Sequence, residues 1–373
     1  MILGLDIGTY SVKIVLLDKK GINVVSFGEE CIINKINQFD IEKINRSHWV
    51  AGFQKLVSKL SINLKKVDMI ASSISGSKVS IKSITTLEIE ESELINILNL
   101  EAKKHIPLDG SDAVIDYHIL GPNIKEIDKV DLLLVATTQK IIKVQDKIMK
   151  SCKITDAIFD TDPIAMLNSY QYNYDCPNNE VDVLLNIGFL TSTLIVTSKN
   201  EELFTREIDI GGHKINLEIM NLKNVSYKEA EIEKNQKGIS VFNSDSENDE
   251  SEIQISTRNI YSELSDEIRK SLRYYMKSKN SISYNNFYIS GGMSETPGLI
   301  KFLNESLNVD FLIFNPFLKV NKSKKVVNSA KYSVALGLAL RGTLIDNSKK
   351  KRSLPFNGIS TKIKDFLINP IKE

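Results

Sequence analysis

Residues 2–27, ILGLDIGTYSVKIVLLDKKGINVVSF, and residues 182–207, DVLLNIGFLTSTLIVTSKNEELFTRE, are two imperfect copies of one pattern. Each opens as an apolar strand, breaks at a glycine-containing turn, resumes as a β-branched strand and adds a third strand after a polar turn. Laid on each other, Asp6 meets Asn186, Gly8 meets Gly188, Ser11 meets Thr191 and Lys13 meets Thr193. Such a repeat predicts two similar lobes, each starting with a strand meander.

Helical spacing of apolar residues predicts helices over 47–60, 91–105, 139–152, 163–170, 258–279 and 297–307. Ser47 is the expected cap of the first, and Pro107 the stop after the second. Meanders mixed with amphipathic helices argue for an α/β layered architecture. Residues 77–152 read as an insert: two strands, a helix, an irregular stretch holding a strand at 113–120, a strand at 131–137 and a helix. The acidic stretch 243–252, NSDSENDESE, reads as a solvated loop.

Composition narrows the function classes. A chain of 373 residues needs more than one core. Its 42% hydrophobic and 25% charged residues are those of a globular protein, and a net charge of +1 gives no nucleic-acid footprint. Cys31, Cys152 and Cys176 share no metal-like spacing and favour a reducing compartment. His48, His105, His118 and His213 are scattered. The N-terminal MILGLDIG does not read as a secretory signal. The longest apolar runs, around 130–136 and 181–188, fall short of the ~20 residues of a spanning helix, so no transmembrane segment is expected.

Asp6 is the first residue that asks for a chemical reason, because a carboxylate inside an apolar strand is expensive. A strand end facing a cation-containing cleft supplies one. Gly8 lets the backbone turn sharply, and amides in such turns bind phosphate oxygens. Thr9, Tyr10 and Ser11 continue the turn, and Lys13 shares the strand face of Ser11. Taken alone, the Asp-x-Gly turn reads equally as an ordinary hairpin. The second copy, with Asn186, Gly188 and Thr191, would set another phosphate clamp opposite the first. A third glycine element, YISGGMSETPGL at 288–299, follows a strand and opens a helix, so that Gly291, Gly292 and Met293 could lie against an adenosine close to a helix start. Gly211 and Gly212 open another helix, and Glu231 and Lys234 share one helical face, placed to hold a ribose and cover a base, or simply to pair on the surface.

With these residues in hand, the chain resembles the type IV pilus assembly proteins of the PilM family. LDIGTYSVKIVLL (5–17) looks like their first phosphate motif, and EAKKHIPLDGSDAVIDYHILG (101–121) is similar to their most distinctive segment. IGGHKINLEI (210–219), EAEIEKNQKG (229–238), GGMSETPGLIKFLNESL with FNPF (291–317) and SVALGLALRG (333–342) follow in family order. The next relative is the cell-division protein FtsA. The resemblance implies an actin-like, two-lobed fold with an inserted subdomain in place of actin's usual small one. The resulting division is lobe 1 at 1–76 and 153–180, the insert at 77–152, lobe 2 at 181–210 and 258–342 with its closing helix, a small subdomain at 211–257, and a tail at 343–373.

It also implies ATP and Mg²⁺ in the central cleft, the metal held through water by Asp6. The implied partner is the cytoplasmic N-terminal peptide of a PilN-like membrane protein, bound between the first lobe and the insert. The expected location is cytoplasmic, peripheral to the inner membrane through that partner. Contacts with pilus motor ATPases and self-association into a ring or filament are further implications. One departure stands out: the second phosphate motif usually carries Asp where this chain has Asn186. An amide lacks the charge that helps order magnesium and its water, so hydrolysis is expected to be weak or absent.

Other functions fit parts of the pattern. A type II secretion component would continue into a membrane helix. A small-molecule kinase needs an acceptor pocket and a catalytic Asp; Asp160 and Asp162 in FDTDPIAML (159–167) are the cleft-edge candidates, though they read as caps of the helix near Pro163. An FtsA-like filament protein would use the tail, where Ile359, Ile363, Phe366 and Leu367 can form an apolar stripe beside Lys362 and Lys364, after the basic run 349–352. A flexible or partner-docked tail reads equally from those residues.

Overall fold

The computed structural model describes residues 1–20, 23–32, 43–74, 79–104, 112–123, 126–242, 259–279, 282–322 and 329–348, with backbone only at 321–322 and 344–348. His105 and Pro107, the acidic stretch 243–252 and the tail beyond 348 lie outside these residues.

The first repeat folds as β1 (Ile2–Ile7), β2 (Ser11–Leu17) and β3 (Asn23–Cys31), an antiparallel meander. Helix α1 (Arg46–Lys59) covers one face through Phe53 and Leu56. Its cap is Asn45 rather than Ser47: the Asn45 side chain accepts the Ser47 N–H at 3.0 Å, and His48 returns a bond to the Asn45 N–H. Both residue types cap well, and the reciprocal partner decides between them. β4 (Met69–Ile74) then adds parallel to β1.

Among the described residues the insert begins with one strand, β5 (Ser80–Leu87), where the sequence suggested two. α2 (Glu91–Lys103), β6 (Ala113–Pro122), β7 (Lys129–Thr138) and α3 (Gln139–Ser151) follow. The sheet order is β5-β7-β6, and α2 packs Leu94, Leu98 and Ala102 on its Leu132–Leu134–Ala136 face. Helix α3 ends the insert in sequence, yet its Ile142, Ile148 and Met149 enter the core of the first lobe.

β8 (Ile158–Thr161) completes that lobe's sheet beside β4. α4 (Asp162–Asn173) leads to the second repeat, β9 (Glu180–Ile187), β10 (Ser192–Thr197) and β11 (Phe204–Ile208). α5 (Gly212–Lys223), α6 (Tyr227–Lys237) and α7 (Ile260–Ser278) come next, then β12 (Ser283–Ser290), α8 (Leu299–Leu307), β13 (Phe311–Ile313), the short β14 (Asn321–Lys322) and α9 (Ser333–Ser348). The second sheet runs β11-β10-β9-β12-β13, and the first, joined by β14, runs β14-β3-β2-β1-β4-β8.

Helices α4 and α9 join the two sheets. From Val334 to Leu340 α9 is apolar all round, as a helix buried on every side must be, and it lies on β1, β2 and β4 as well as on α4. The approach is close: a Cβ on Gly337 would fall 1.6 Å from the Ala165 carbonyl oxygen of α4, and one on Gly4 would fall 1.9 Å from that of Ala335. The closing helix therefore follows lobe 2 in sequence and packs on the sheet of lobe 1. Ala165, Met166 and Tyr170 of α4 share one apolar cluster with Leu184, Ile195 and Tyr288 of the second sheet. This common core sets the two meanders facing one cleft.

Candidate nucleotide-binding cleft

The two hairpins match in register as well as in sequence. Asp6 stands opposite Lys13, and Asn186 opposite Thr193. The Gly8 N–H donates to the Ser11 carbonyl at 3.1 Å, and the Gly188 N–H to the Thr191 carbonyl at 3.0 Å. The turns meet across the cleft, where the rings of Tyr10 and Phe189 stand with centroids 5.3 Å apart.

Lobe 1 supplies the charge. Asp6, Lys13 and Glu29 lie side by side on β1, β2 and β3. Lys13 Nζ is 3.2 Å from Asp6 Oδ2. Burial works against the Lys13 ammonium, but Asp6 and then Glu29 hold its pKa above the ordinary lysine value. Glu29 accepts from the Ser11 hydroxyl at 2.7 Å and pairs with Lys331, just ahead of α9. Burial alone would raise the Glu29 pKa; Lys13, Lys331 and Ser11 together hold it low. The Ser11 side chain is thus turned to Glu29, while Thr9 lies in the turn between β1 and β2. Trp49 of α1 donates its indole N–H to the Gly8 carbonyl at 3.1 Å, and the Ile32 N–H reaches the Tyr10 carbonyl at 3.0 Å, so α1 and β3 brace the first turn.

Lobe 2 gathers its glycine elements around the second turn. The N–H groups of Gly212 and His213 bond the carbonyls of Gly188 and Phe189 at 3.1 and 2.8 Å. Gly211 is the N-cap of α5. Gly291 has φ +93°, and a Cβ there would sit 2.3 Å from the Ile187 carbonyl oxygen and 2.6 Å from Asn186 Oδ1. Gly292, beside it, faces open space. The turn 291–298 separates β12 from α8, so the helix does not start at the glycine pair as the sequence suggested. Met293 Sδ and Lys234 Nζ lie 3.0 and 3.3 Å from where a Cβ on Gly212 would stand. Lys234, 2% exposed, pairs with Glu231 at 2.7 Å, and Asn216 and Asn235 also donate to Glu231. Burial lowers the Lys234 pKa against the pull of Glu231; burial would raise Glu231, but Lys234 and the two amides hold it below its usual value.

Asp162 is the residue sequence reasoning misplaced. It is the first residue of α4, but the cap is Thr161, whose hydroxyl oxygen accepts the Ile164 N–H at 3.4 Å. Asp162 lines the cavity between the insert and lobe 2, with Ser73 as a hydrogen-bond partner and with Asp6 and Lys13 among the charges acting on it. Burial first, and the Asp6 charge second, push its pKa up to about 7. Its Oδ1 is shut from solvent with no hydrogen bond. Asp160 is no cap either: it is buried beside Arg341 of α9, 3.7 Å away, with a pKa pushed up to about 6 by burial. A cavity of about 420 Å³ opens beside Asp162, walled by Ile81 and Lys82 of the insert and by Thr191, Arg206 and Glu207 of lobe 2. There β5 touches lobe 2, with the Ser83 hydroxyl donating to the Leu203 carbonyl at 3.4 Å.

The family model described as type IV pilus assembly protein PilM matches residues 4–343. The chain belongs to the PilM family. A solved structure described as a PilM-PilN type IV pilus biogenesis complex superposes with a TM-score of 0.76 over 92% of this chain and 98% of that one, at 20% identity. The architecture is the actin-like one that this family shares. MreB5 of Spiroplasma citri, solved with ADP, reaches a TM-score of 0.49 at 12% identity, covering 94% of this chain and 98% of that one. L-lactate dehydrogenase 2 of Clostridium acetobutylicum is 29% identical over 175 residues, 44% of this chain and 50% of that protein, so the chain spans half the length of that relative. The PilM-family chain has no Gly-x-Gly anywhere, and so lacks the turn on which a dinucleotide's pyrophosphate rests.

Proposed function

We propose that this PilM-family protein is a cytoplasmic, nucleotide-gated scaffold of the pilus assembly machinery. The observation that carries the reading is the pair of register-matched glycine turns in contact across one cleft, with a third glycine turn and the Glu231–Lys234 pair gathered beside the second. ATP fits this arrangement: the amides around Gly8 and Gly188 would hold phosphates, while Gly292 leaves open room near Glu231 and Lys234 for the nucleoside. Magnesium, when bound, would neutralise the phosphate charge, and Asp6 would hold it through water. With Asn186 in place of a carboxylate, the nucleotide serves to clamp the lobes, and turnover is slow.

The partner in this reading is a membrane protein of the PilN type, whose N-terminal peptide docks between lobe 1 and the insert. No helix among the described residues is long and apolar enough to cross a membrane, so recruitment through such a partner accounts for its place in the machine. Calorimetric titration with ATP and MgCl₂, followed by a phosphate-release assay, tests the first half. Saturable binding with slow release is expected; absence of binding overturns it. Fluorescence polarisation with a labelled N-terminal peptide of the accompanying PilN-type protein tests the second half, and ATP should sharpen that binding.

The cavity beside Asp162 favours a second reading, phosphoryl transfer to a small acceptor. Screening sugars and small acids for ATP-dependent phosphorylation separates the two.

A further inference from the structure

The insert sheet ends in an apolar surface. Strand register brings the ends of β5 and β6 together, where Leu87 pairs with Lys129 and Pro122 with Val130. Leu87, Ile119, Leu120 and Ile127 stand at that end and are 55%, 47%, 38% and 92% exposed. A single exposed apolar side chain needs no explanation, but four at one end of a three-stranded sheet mark a surface that something covers. The rim is acidic. The Glu88 N–H donates to the Asp128 carbonyl there at 2.9 Å, and both side chains are exposed. Glu91 and Glu93 add charge in the first turn of α2, where the helix dipole accounts for them; it does not account for Glu88 or Asp128.

A complementary segment lies in the same chain. Residues 349–373 carry seven basic and two acidic residues, a net +5, so the other 348 residues sum to −4. Within them Ile359, Ile363, Phe366 and Leu367 recur at the spacing of one helical face, with Lys362 and Lys364 among them. Apolar anchors with basic flanks are the counterpart of an apolar surface with an acidic rim. The place where the segment starts also suits. α9 begins beside the cleft, where the Ser333 and Ser290 hydroxyls lie 2.6 Å apart, and leads away from it until Gly342 lies against Ile2 and Met69. β5 leads away from the cleft too: Ser80 and Lys82 line the cavity with Thr191, and Ser83 then bonds Leu203, beside the end of β11 remote from the second turn. The 25 residues after Ser348 reach about 80 Å when extended.

We infer that residues 349–373 dock on the far end of the insert of their own molecule. The apolar residues of the tail cover Leu87, Ile119, Leu120 and Ile127, and its basic residues meet Glu88 and Asp128. A tethered segment faces its own site at an effective concentration that a second copy does not match in dilute solution. The inference is independent of the nucleotide reading of the cleft.

The test places a photocrosslinking benzoylphenylalanine at position 366 of the full chain, irradiates dilute protein and maps the products by mass spectrometry. Crosslinks within one molecule to the ends of β5 and β6 or to the loop holding Ile127 are expected, with a yield that is unchanged on dilution and falls in high salt. The double exchange Ile127→Lys/Glu88→Lys, at two exposed positions, should lower that yield at least about tenfold, the effect of one well-placed interaction. Melting temperatures check folding, and Leu120→Lys is read the same way if the double exchange melts early. Crosslinks to either lobe, crosslinked dimers, or an undiminished yield in a variant that melts like the wild type overturn the inference. A last arm adds vesicles of phosphatidylglycerol and phosphatidylcholine: a tail that crosslinks to nothing until they are present, and then only to lipid, overturns it as well.

Discussion

The ring of Tyr10, in the turn after β1, rests against that of Phe189, in the turn after β9, with centroids 5.3 Å apart. It is a direct contact between the two glycine turns, and Phe189 continues it to His213 at 5.5 Å and His213 to Tyr227 at 5.7 Å. An aromatic pair adds about 0.5–1.5 kcal/mol beyond the area it buries. Phe189→Ala should therefore loosen the lobes by about 1 kcal/mol and weaken ATP binding several-fold. Limited proteolysis and nucleotide titration check this; unchanged affinity would show that the contact does not hold the cleft shut.

The Lys234 ammonium is almost wholly buried and has Glu231 as its ion-pair partner. Removing the acid strands a charge, which typically costs about 3–5 kcal/mol, whereas Lys234→Met leaves Glu231 with 20% exposure and the amides of Asn216 and Asn235 as donors, and so costs less. Urea unfolding should rank Glu231→Ala as clearly less stable than Lys234→Met, with ATP affinity reduced in both. The reverse ranking would mean that the pair is solvated in solution.

Gly291 combines a positive φ with a Cβ position 2.3 Å from a carbonyl oxygen. Gly291→Ala should cost on the order of 2–3 kcal/mol by strain and displacement of the Asn186–Ile187 backbone. The neighbouring Gly292→Ala meets nothing within 4 Å and should leave stability nearly unchanged. Paired thermal melts decide; equal effects would contradict the turn geometry.

His213 is half buried, and burial, followed by the Lys234 charge, lowers its pKa from 6.5. The unfolded chain then binds the proton more readily, so the contribution of His213 to stability is present above pH 6.5 and is lost as pH falls through the lower folded value. Asp160, raised to about 6, acts in the opposite direction, so the comparison must be with His213→Gln. Between pH 6.5 and about pH 5, the wild type should lose more unfolding free energy than the variant. Parallel urea curves at both pH values would rule out the effect.

The repeat made the two meanders legible from sequence because strand, glycine and strand are local features, and matching spacing implied matching register. Gly211, Gly212 and the Glu231–Lys234 pair were legible for the same reason. What could not be read was which distant groups converge on them. Trp49 reaches Gly8 from a helix 41 positions away, and Lys331 reaches Glu29 across 302. Asp162 was misread because Asp and Thr are both competent caps, and only the packing of α4 on β4 sends one side chain to the helix end and the other to the cleft. α9 offered no face to read, being apolar all round from Val334 to Leu340, and its seat on lobe 1 follows from the small residues of both partners.

The most direct measurement is a crystal structure grown with ATP and magnesium. The account predicts triphosphate density between the turns at Gly8 and Gly188, with adenosine toward Gly292 and Lys234. Nucleotide bound elsewhere, or an empty cleft at saturating ATP, would contradict it.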